Sequence, residues 1–309
     1  VIEDLPMAEK LEFRTTMDFV YGEPSQLLPG IARIVANNPG PFTFKGTNTY
    51  LIGTKTLAIV DPGPADDAHL AAVMRAVDGR PVTHIILTHT HHDHFDGLPA
   101  MAAATGAPTV GFGRRVATPG KVRKSASGSE HVDLDFVPDI HLKDGETLEA
   151  GGHRITALHT PGHAPDHLAL ALDGDDGVLL SGDHVMGWNT SVVAPPEGNM
   201  AHYMRSLEVL LKRKDKVFLP GHGGRIETPQ RWVKAFIIHR NAREMAILDA
   251  IRTGQATIQD VVTVVYRGLD ARLVPAACLS VQAHVEHLVG RGLVAAEGQL
   301  SSDHALSAV

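Results

Sequence analysis

The sequence predicts an α/β fold: a four-layer αβ/βα sandwich followed by a helical, winged-helix-like tail. Three observations predict it. Short runs rich in β-branched residues fall in two groups, one before residue 90 and one between residues 153 and 223. Amphipathic helical segments are interleaved with them. After about residue 232 the strands give way to three helical patterns and then a hairpin pattern.

The elements follow in order. "IARIV" (31–35) and "NTYLIGTKTLAIVD" (48–61) read as strands, with Gly53 at a turn inside the second run. "DDAHLAAVMRAV" (66–77) has helical apolar spacing and an acidic start. "THIILTH" (83–89) is a near-continuous apolar run, expected as a strand buried on both faces. A helix is expected from about Gly97 to Thr105, with Asp96 as its cap. In the second group, "HRITALHT" (153–160), "LALALDG" (168–174), "GVLLSGD" (177–183) and "KVFLPGHG" (216–223) read as strands. Between them, "MAHYMRSLEVLLKR" (200–213) puts Met200, Tyr203, Met204, Leu207, Leu210 and Leu211 on one helical face. The tail then predicts a long helix over 233–254, a second capped by Thr257, and a third from Pro275 to Gly290–Gly292. A hairpin around Glu297-Gly298 completes it. The expected division is a catalytic domain over 1–235 and a winged-helix-like domain over 236–309.

Composition narrows the function classes. No apolar run reaches the roughly 18 residues that a membrane span requires. The first ten residues, "VIEDLPMAEK", are acidic and interrupted by Pro6, unlike an export signal or an Arg-rich transit peptide, although residue 1 is not Met and a removed leader stays open. The single cysteine, Cys278, lies on an apolar helical pattern and is expected in a core; a reducing cytoplasm is the default location. A net charge of −7 argues against a broad duplex-binding surface, but "RRVATPGKVRKSASGSEH" (114–131) is loop-like and locally basic. The anomaly is 19 histidines, and they are clustered.

"THTHHDHFDG" (88–97) holds four histidines and two aspartates. A lone histidine is more often a satisfied core residue than a ligand. Here H-x-H-x-D-H is followed by P-G-H at His163, G-D at Asp183 and P-G-H-G at His222, each at the end of an expected strand. Strand ends aim several loops at one point, as a metal site needs. His89 and His91 can grip one ion, while Asp93 and His94 can turn to a second. His163 could complete the first set and His222 the second, and the Asp183 carboxylate could span two ions roughly 3.5–4 Å apart. Structural zinc sites are usually cysteine-rich and closed, which this set is not. Asp61, ending "LAIVDPG", is a candidate hydrogen-bond partner of a ligand histidine, with a helix N-cap as the equal alternative. His92 fills the variable motif position, and His167 is a candidate substrate-positioning residue or proton donor beside the site.

"LTHTHHDHFDG", "TPGHAPDH", "LLSGDHVMGW" and "LPGHGGRI" resemble the successive motifs of the metallo-β-lactamase superfamily, over about residues 30–230. The resemblance implies that family's sandwich and a dinuclear site. It implies His89, His91 and His163 on one metal, Asp93, His94 and His222 on the other, and Asp183 bridging. It further implies a metal-bridging hydroxide as nucleophile, with two zinc ions (iron or manganese as alternatives) and Asp93 orienting the attack. "NNPGPFTFKGTNTYLIG", "SGDHVMGWNTSVVAPPEGNM" and "HRNAREMAIL" resemble the beta-lactamase-like protein 2 group, some of whose members are single-strand endoribonucleases.

Single-stranded RNA is therefore one expected substrate, supported by the basic residues Arg114, Arg115, Lys121, Arg123 and Lys124. A small ester, thioester or lactone is the alternative. A β-lactamase is disfavoured because those enzymes lack a counterpart of Asp183. A non-enzymatic DNA-binding role is weak, since the third tail helix offers His284, His287 and Arg291 rather than a basic face. The tail is expected to cover the active site or to mediate homodimerisation.

Overall fold

The computed structural model describes residues 12–113, 136–174, 177–296 and 305–309. The first sheet runs β1 (Ser25–Leu28), β2 (Ile31–Val35), β3 (Asn48–Ile52), β4 (Leu57–Val60), β5 (Val82–Ile86), β6 (Thr109–Gly111) and β7 (Ile140–His141), paired in that order. Its pairing is antiparallel up to β4 and parallel beyond. The second sheet takes β8 (Thr147–Ala150), β9 (His153–His159), β10 (Leu168–Leu172), β11 (Val178–Gly182) and β12 (Val217–Pro220), each beside the next. Only its β11–β12 pair is parallel.

The period-2 alternation of side chains builds the layers. In β10 the three leucines of "LALAL" face the first sheet, meeting Ile52, Val60 and Ile86. The intervening Ala169 and Ala171 face outward, and their small size lets α4 (Met200–Leu211) pack closely through Tyr203, Leu207 and Leu210. In β4, Ala58 and Val60 face inward while Leu57 and Ile59 face α1 (Asp67–Val77) and α3 (Leu98–Thr105). The result is helix, sheet, sheet, helix.

Both sheets are stitched together at one edge. Leu168 N–H donates to the Thr88 carbonyl (2.7 Å) and Asn48 N–H to the Gly221 carbonyl (2.8 Å). Asn48 Nδ2 adds bonds to the carbonyls of Pro220 (2.8 Å) and Gly223 (2.9 Å). These bonds fix the start of β3 and the loops after β5 and β12 against each other.

The third unit comprises α5 (Pro229–Arg252), α6 (Ile258–Val265), α7 (Val274–Gly290) and the antiparallel pair β13 (Val294–Ala296) and β14 (Leu306–Ala308). Thr257 caps α6 by accepting from Asp260 N–H, as its sequence predicts. α5 is continuous through residue 235 and belongs to two cores: Trp232, Val233 and Phe236 pack on α4, while Ile247, Ala250 and Ile251 pack on α6 and α7. None of the described helices is long and apolar enough to cross a membrane.

Several boundaries differ from the sequence reading. β5 stops at Ile86, and only Ile85 and Ile86 of it are buried, because β6 pairs with those two residues and not with Val82–His84. His89 is therefore three residues past the strand. An unforeseen short helix, α2 (His92–Phe95), follows it. Asp96 does not cap α3, whose N-cap is Gly97; its Oδ2 instead lies 2.5 Å from His92 Nδ1 across α2. α5 begins a turn early because Pro229 suits the first helical position. The returning hairpin strand is Leu306–Ala308, and the expected turn at Glu297-Gly298 lies outside the described residues, as do residues 1–11. Cys278 is half-buried rather than core, its Sγ 3.3 Å from Gln259 Oε1.

Glu244 joins α5 to α7, with His287 Nδ1 at 2.6 Å, Arg291 Nη1 at 2.5 Å and His284 Nδ1 at 3.5 Å. Burial would raise its pKa, but the hydrogen bonds and charges of His284 and His287 hold it below 4.5. A depressed carboxylate pKa stabilises the fold above the unfolded value and loses that effect as the pH falls through the folded one. Glu244→Gln is thus expected to melt below the native protein at pH 7, with the gap closing as the pH drops below 4.5. Melting curves across that range check it; a gap that stays constant contradicts it.

Candidate metal centre

The loops at the stitched edge bring seven predicted residues together. His89, His91 and His163 form one group of ligand atoms, and Asp93, His94 and His222 another. His91 Nδ1 lies 3.0 Å from His89 Nε2 and 2.9 Å from His163 Nε2. His94 Nε2 and His222 Nε2 are 3.3 Å apart, and Asp93 Oδ2 is 3.3 Å from the first and 3.2 Å from the second. Asp183 stands between the groups: Oδ2 is 3.7 Å from His163 Nε2 and 3.3 Å from His222 Nε2, and Oδ1 is 3.6 Å from His94 Nε2.

What faces inward is decided by what each ring does outward. His94 Nδ1 lies 2.9 Å from Asp61 Oδ2 and His163 Nδ1 lies 2.7 Å from the Val192 carbonyl. His222 Nδ1 lies 3.2 Å from the Gly46 carbonyl, and His91 Nε2 lies 3.3 Å from Glu197 Oε2. Each partner is a pure acceptor, so that nitrogen carries the proton and the other carries a lone pair. His89 follows the same rule one step removed. Thr88 Oγ1 donates to Asp61 Oδ2 (2.8 Å) and so accepts from His89 Nδ1 (3.0 Å). Five imidazole lone pairs therefore converge, and neutral rings in this arrangement repel unless a cation lies among them. Asp183 Oδ1 is buried with no hydrogen bond among the described residues. Nitrogen lone pairs and carboxylate oxygens are the donor set of zinc and similar divalent ions, so the residues fit such a group.

Where no ion neutralises the two carboxylates, they attract protons to the nearest rings instead. Burial would lower the pKa of His94, but Asp93, Asp183 and Asp61 raise it well above 6.5. His222, also opposed by burial, is raised to about 10 by Asp183 and Asp93. Both carboxylates, despite burial, are held well below 3.8 by these rings. His89 is driven well below 6.5 and His163 to about 4, by burial and by neighbouring imidazoles. The pocket draws positive charge toward the carboxylates, and a divalent ion competes there with protons.

The supporting residues were mostly silent in the sequence. Thr47 Oγ1 donates to Asp93 Oδ2 (2.8 Å) and is itself held by Asn38 Nδ2 (3.0 Å). Asp166 Oδ2 accepts from Thr90 N–H (3.1 Å) and Thr90 Oγ1 (2.8 Å), tying the two ligand loops together. Asp61 is not a helix cap, since Asp66 caps α1; it serves His94 and Thr88 instead. His167 is fully buried, with Nε2 accepting from Asp183 N–H (3.1 Å) and Nδ1 bonded to Thr160 Oγ1 (2.8 Å), which leaves neither nitrogen to meet substrate. Gly221 must lack a side chain, because a Cβ there would lie 2.3 Å from Asp183 Oδ1 and 2.7 Å from His94 Cε1. The half-buried rings of Phe44 and Trp188 stack at 4.9 Å beside Gly223, with Lys45 Nζ 5.5 Å above Phe44. Phe44 holds φ +57°, a strained value for a bulky residue. The basic residues Arg114, Arg115, Lys121, Arg123 and Lys124 lie outside the described residues.

Removing a ligand's hydrogen-bond partner commonly weakens metal affinity about 10–100-fold. Asp61→Ala is expected to do so while leaving all seven converging side chains in place. Competition with a calibrated chelator measures it, and an unchanged affinity contradicts the tautomer argument.

Comparisons with known proteins agree with the geometry. Residues 42–222 match the family model of the metallo-beta-lactamase superfamily, and residues 257–303 match the beta-lactamase associated winged helix domain. The chain is 34% identical to a beta-lactamase-like protein 2 homolog of Drosophila melanogaster, over 87% of this chain and 90% of that protein. It is 28% identical to an atrochrysone carboxyl ACP thioesterase of Claviceps purpurea, over 78% of this chain and 73% of that protein. In fold it is similar to a beta-lactamase domain protein from Burkholderia ambifaria, with a TM-score of 0.77 at 22% identity, over 99% of this chain and 97% of that one. The chain belongs to the metallo-beta-lactamase superfamily of hydrolases.

Proposed function

We propose that this chain is a dinuclear hydrolase: His89, His91 and His163 hold one divalent ion, Asp93, His94 and His222 hold a second, and Asp183 reaches both. Zinc is the ion this donor set suits best, with iron or manganese as alternatives. The observation that carries the reading is the set of five imidazoles whose outward nitrogens all bond acceptors, leaving five lone pairs and two carboxylates facing inward.

When bound, two such ions supply Lewis acidity and bring the pKa of water near neutrality. The chain supplies the rest. The Asp93 side chain is 26% exposed where those of His94 and His222 are 0% and 2%, so its carboxylate meets incoming water at the mouth of the site. Thr47 fixes that carboxylate's rotation, leaving Asp93 to orient the attacking water. No serine or cysteine nucleophile is required, and Cys278 lies on α7, in the unit built from α5 to β14.

The first substrate class is single-stranded RNA. The Phe44–Trp188 stack and Lys45 offer a base platform and a phosphate contact: Phe44 and Lys45 share a loop with the partners of Asp93 and His222, and Trp188 shares one with the partners of His163 and His91. The winged-helix unit supports the same reading. An acyl thioester is the second, favoured by relatives named as thioesterases. The catalytic unit is taken to span 1–235 and the winged-helix unit 236–309, with α5 shared between them.

Parallel assays on single-stranded RNA, a thioester and a lactone test the reading. Native zinc-loaded protein is expected to cleave RNA, and Asp93→Ala to lower kcat by about 10²–10⁴-fold. RNA cleavage that survives Asp93→Ala marks a contaminant. Thioester turnover without RNA cleavage selects the second substrate, and fewer than two metal ions per native chain contradicts the dinuclear site.

A further inference from the structure

The segment "HRNAREMAIL" lies on α5, away from the converging ligands, yet it carries Arg240, which is only 5% exposed. Burying a guanidinium is costly unless its position repays it. Among the described residues no carboxylate pairs with Arg240, and its Nε has no hydrogen bond. Its Nη2 donates instead to the Ser191 carbonyl, and its Cζ lies 5.3 Å from the centre of the Tyr203 ring on α4.

Ser191 is the next link. Its Oγ lies 2.5 Å from the Asp183 carbonyl and 2.7 Å from the His184 carbonyl, one hydroxyl shared between two acceptors. Tyr203 Oη also donates to the His184 carbonyl, at 2.9 Å. The backbone of Asp183 is thus gripped from both sides: His167 takes its N–H, and Ser191 takes its C=O. Ser191 is in turn held by Arg240. One turn along α5, Glu244 makes the bonds to His287 and Arg291 at the end of α7. Two buried charges one turn apart therefore connect the winged-helix unit to the Asp183 loop.

We propose that Arg240 is a positioning residue for Asp183, through which α5 and Ser191 set where that carboxylate meets both donor groups. The proposal rests on the reading of Asp183 as a shared metal ligand. The Asp183 carboxylate touches both groups, so a small shift of its backbone changes both at once. Arg240→Lys keeps a cation that can reach one carbonyl but loses the planar fork, so it rescues in part.

The test is cobalt substitution of the full-length native protein, Arg240→Ala, Arg240→Lys and Ser191→Ala. The visible cobalt spectrum, the rate of cobalt loss to a chelator and the melting temperature are read for each. Arg240→Ala and Ser191→Ala are expected to alter the spectrum and to lose cobalt roughly tenfold faster than native protein, with Arg240→Lys between. Variants that keep the native spectrum and loss rate overturn the proposal, even if they melt earlier. Should Arg240→Ala fail to fold, Ser191→Ala decides, since it removes only the hydroxyl. Native protein that takes up no cobalt overturns the metal reading and this proposal together; native uptake matched by unchanged variants overturns this proposal alone.

Discussion

Five buried imidazoles, the buried Asp183 carboxylate and the part-buried Asp93 carboxylate, gathered at one edge of the two sheets, are the constraint on which the rest of this structure depends. Buried polar groups are costly unless satisfied. Here the satisfaction is one-sided. Acceptors placed behind each ring, including Asp61, Glu197 and the carbonyls of Gly46 and Val192, take up the outward protons. The inward lone pairs are left for a cation, and the two carboxylates supply the negative charge that holds it. Removing an acceptor from behind a ring would free that ring to flip its tautomer, and the centre would lose a donor without losing a residue.

The fold serves this requirement by stacking two sheets so that their strand ends meet at one edge. Loops after β4, β5, β9, β11 and β12 each deliver one part of the centre, and cross-sheet bonds from Asn48 and Leu168 lock their relative height. Close approach then dictates composition. Gly221 has no room for a methyl group against Asp183. At Gly182, φ +48° and a Cβ position 2.4 Å from His167 Nε2 exclude larger residues in the same way. α5 adds the remaining link, because it is packed into the α4 core at one end and the winged-helix core at the other.

Much of this was legible in the sequence, for definite physical reasons. The alternation in "LALAL" and the spacing of "MAHYMRSLEVLLKR" report burial directly, so the layers could be read from them. Histidines and aspartates grouped at several strand ends are a donor set aimed at one point, so the converging residues could be named in advance. What escaped was set by contacts distant in sequence. Thr47, Asp166, Glu197 and Arg240 are polar residues whose partners lie 46, 76, 106 and 49 positions away. His167 looked like a substrate residue because it borders the motif, but only three dimensions reveal that both its nitrogens are taken. Asp96 resembled a helix cap because the intervening short helix at His92–Phe95 has too few residues to show a period.

A dinuclear centre is tested most directly by a crystal structure of the zinc-loaded protein with anomalous data collected at the zinc edge. Two peaks are expected roughly 3.5–4 Å apart, one among His89, His91 and His163 and the other among Asp93, His94 and His222, with Asp183 in contact with both. A single peak, or peaks away from these side chains, would contradict it.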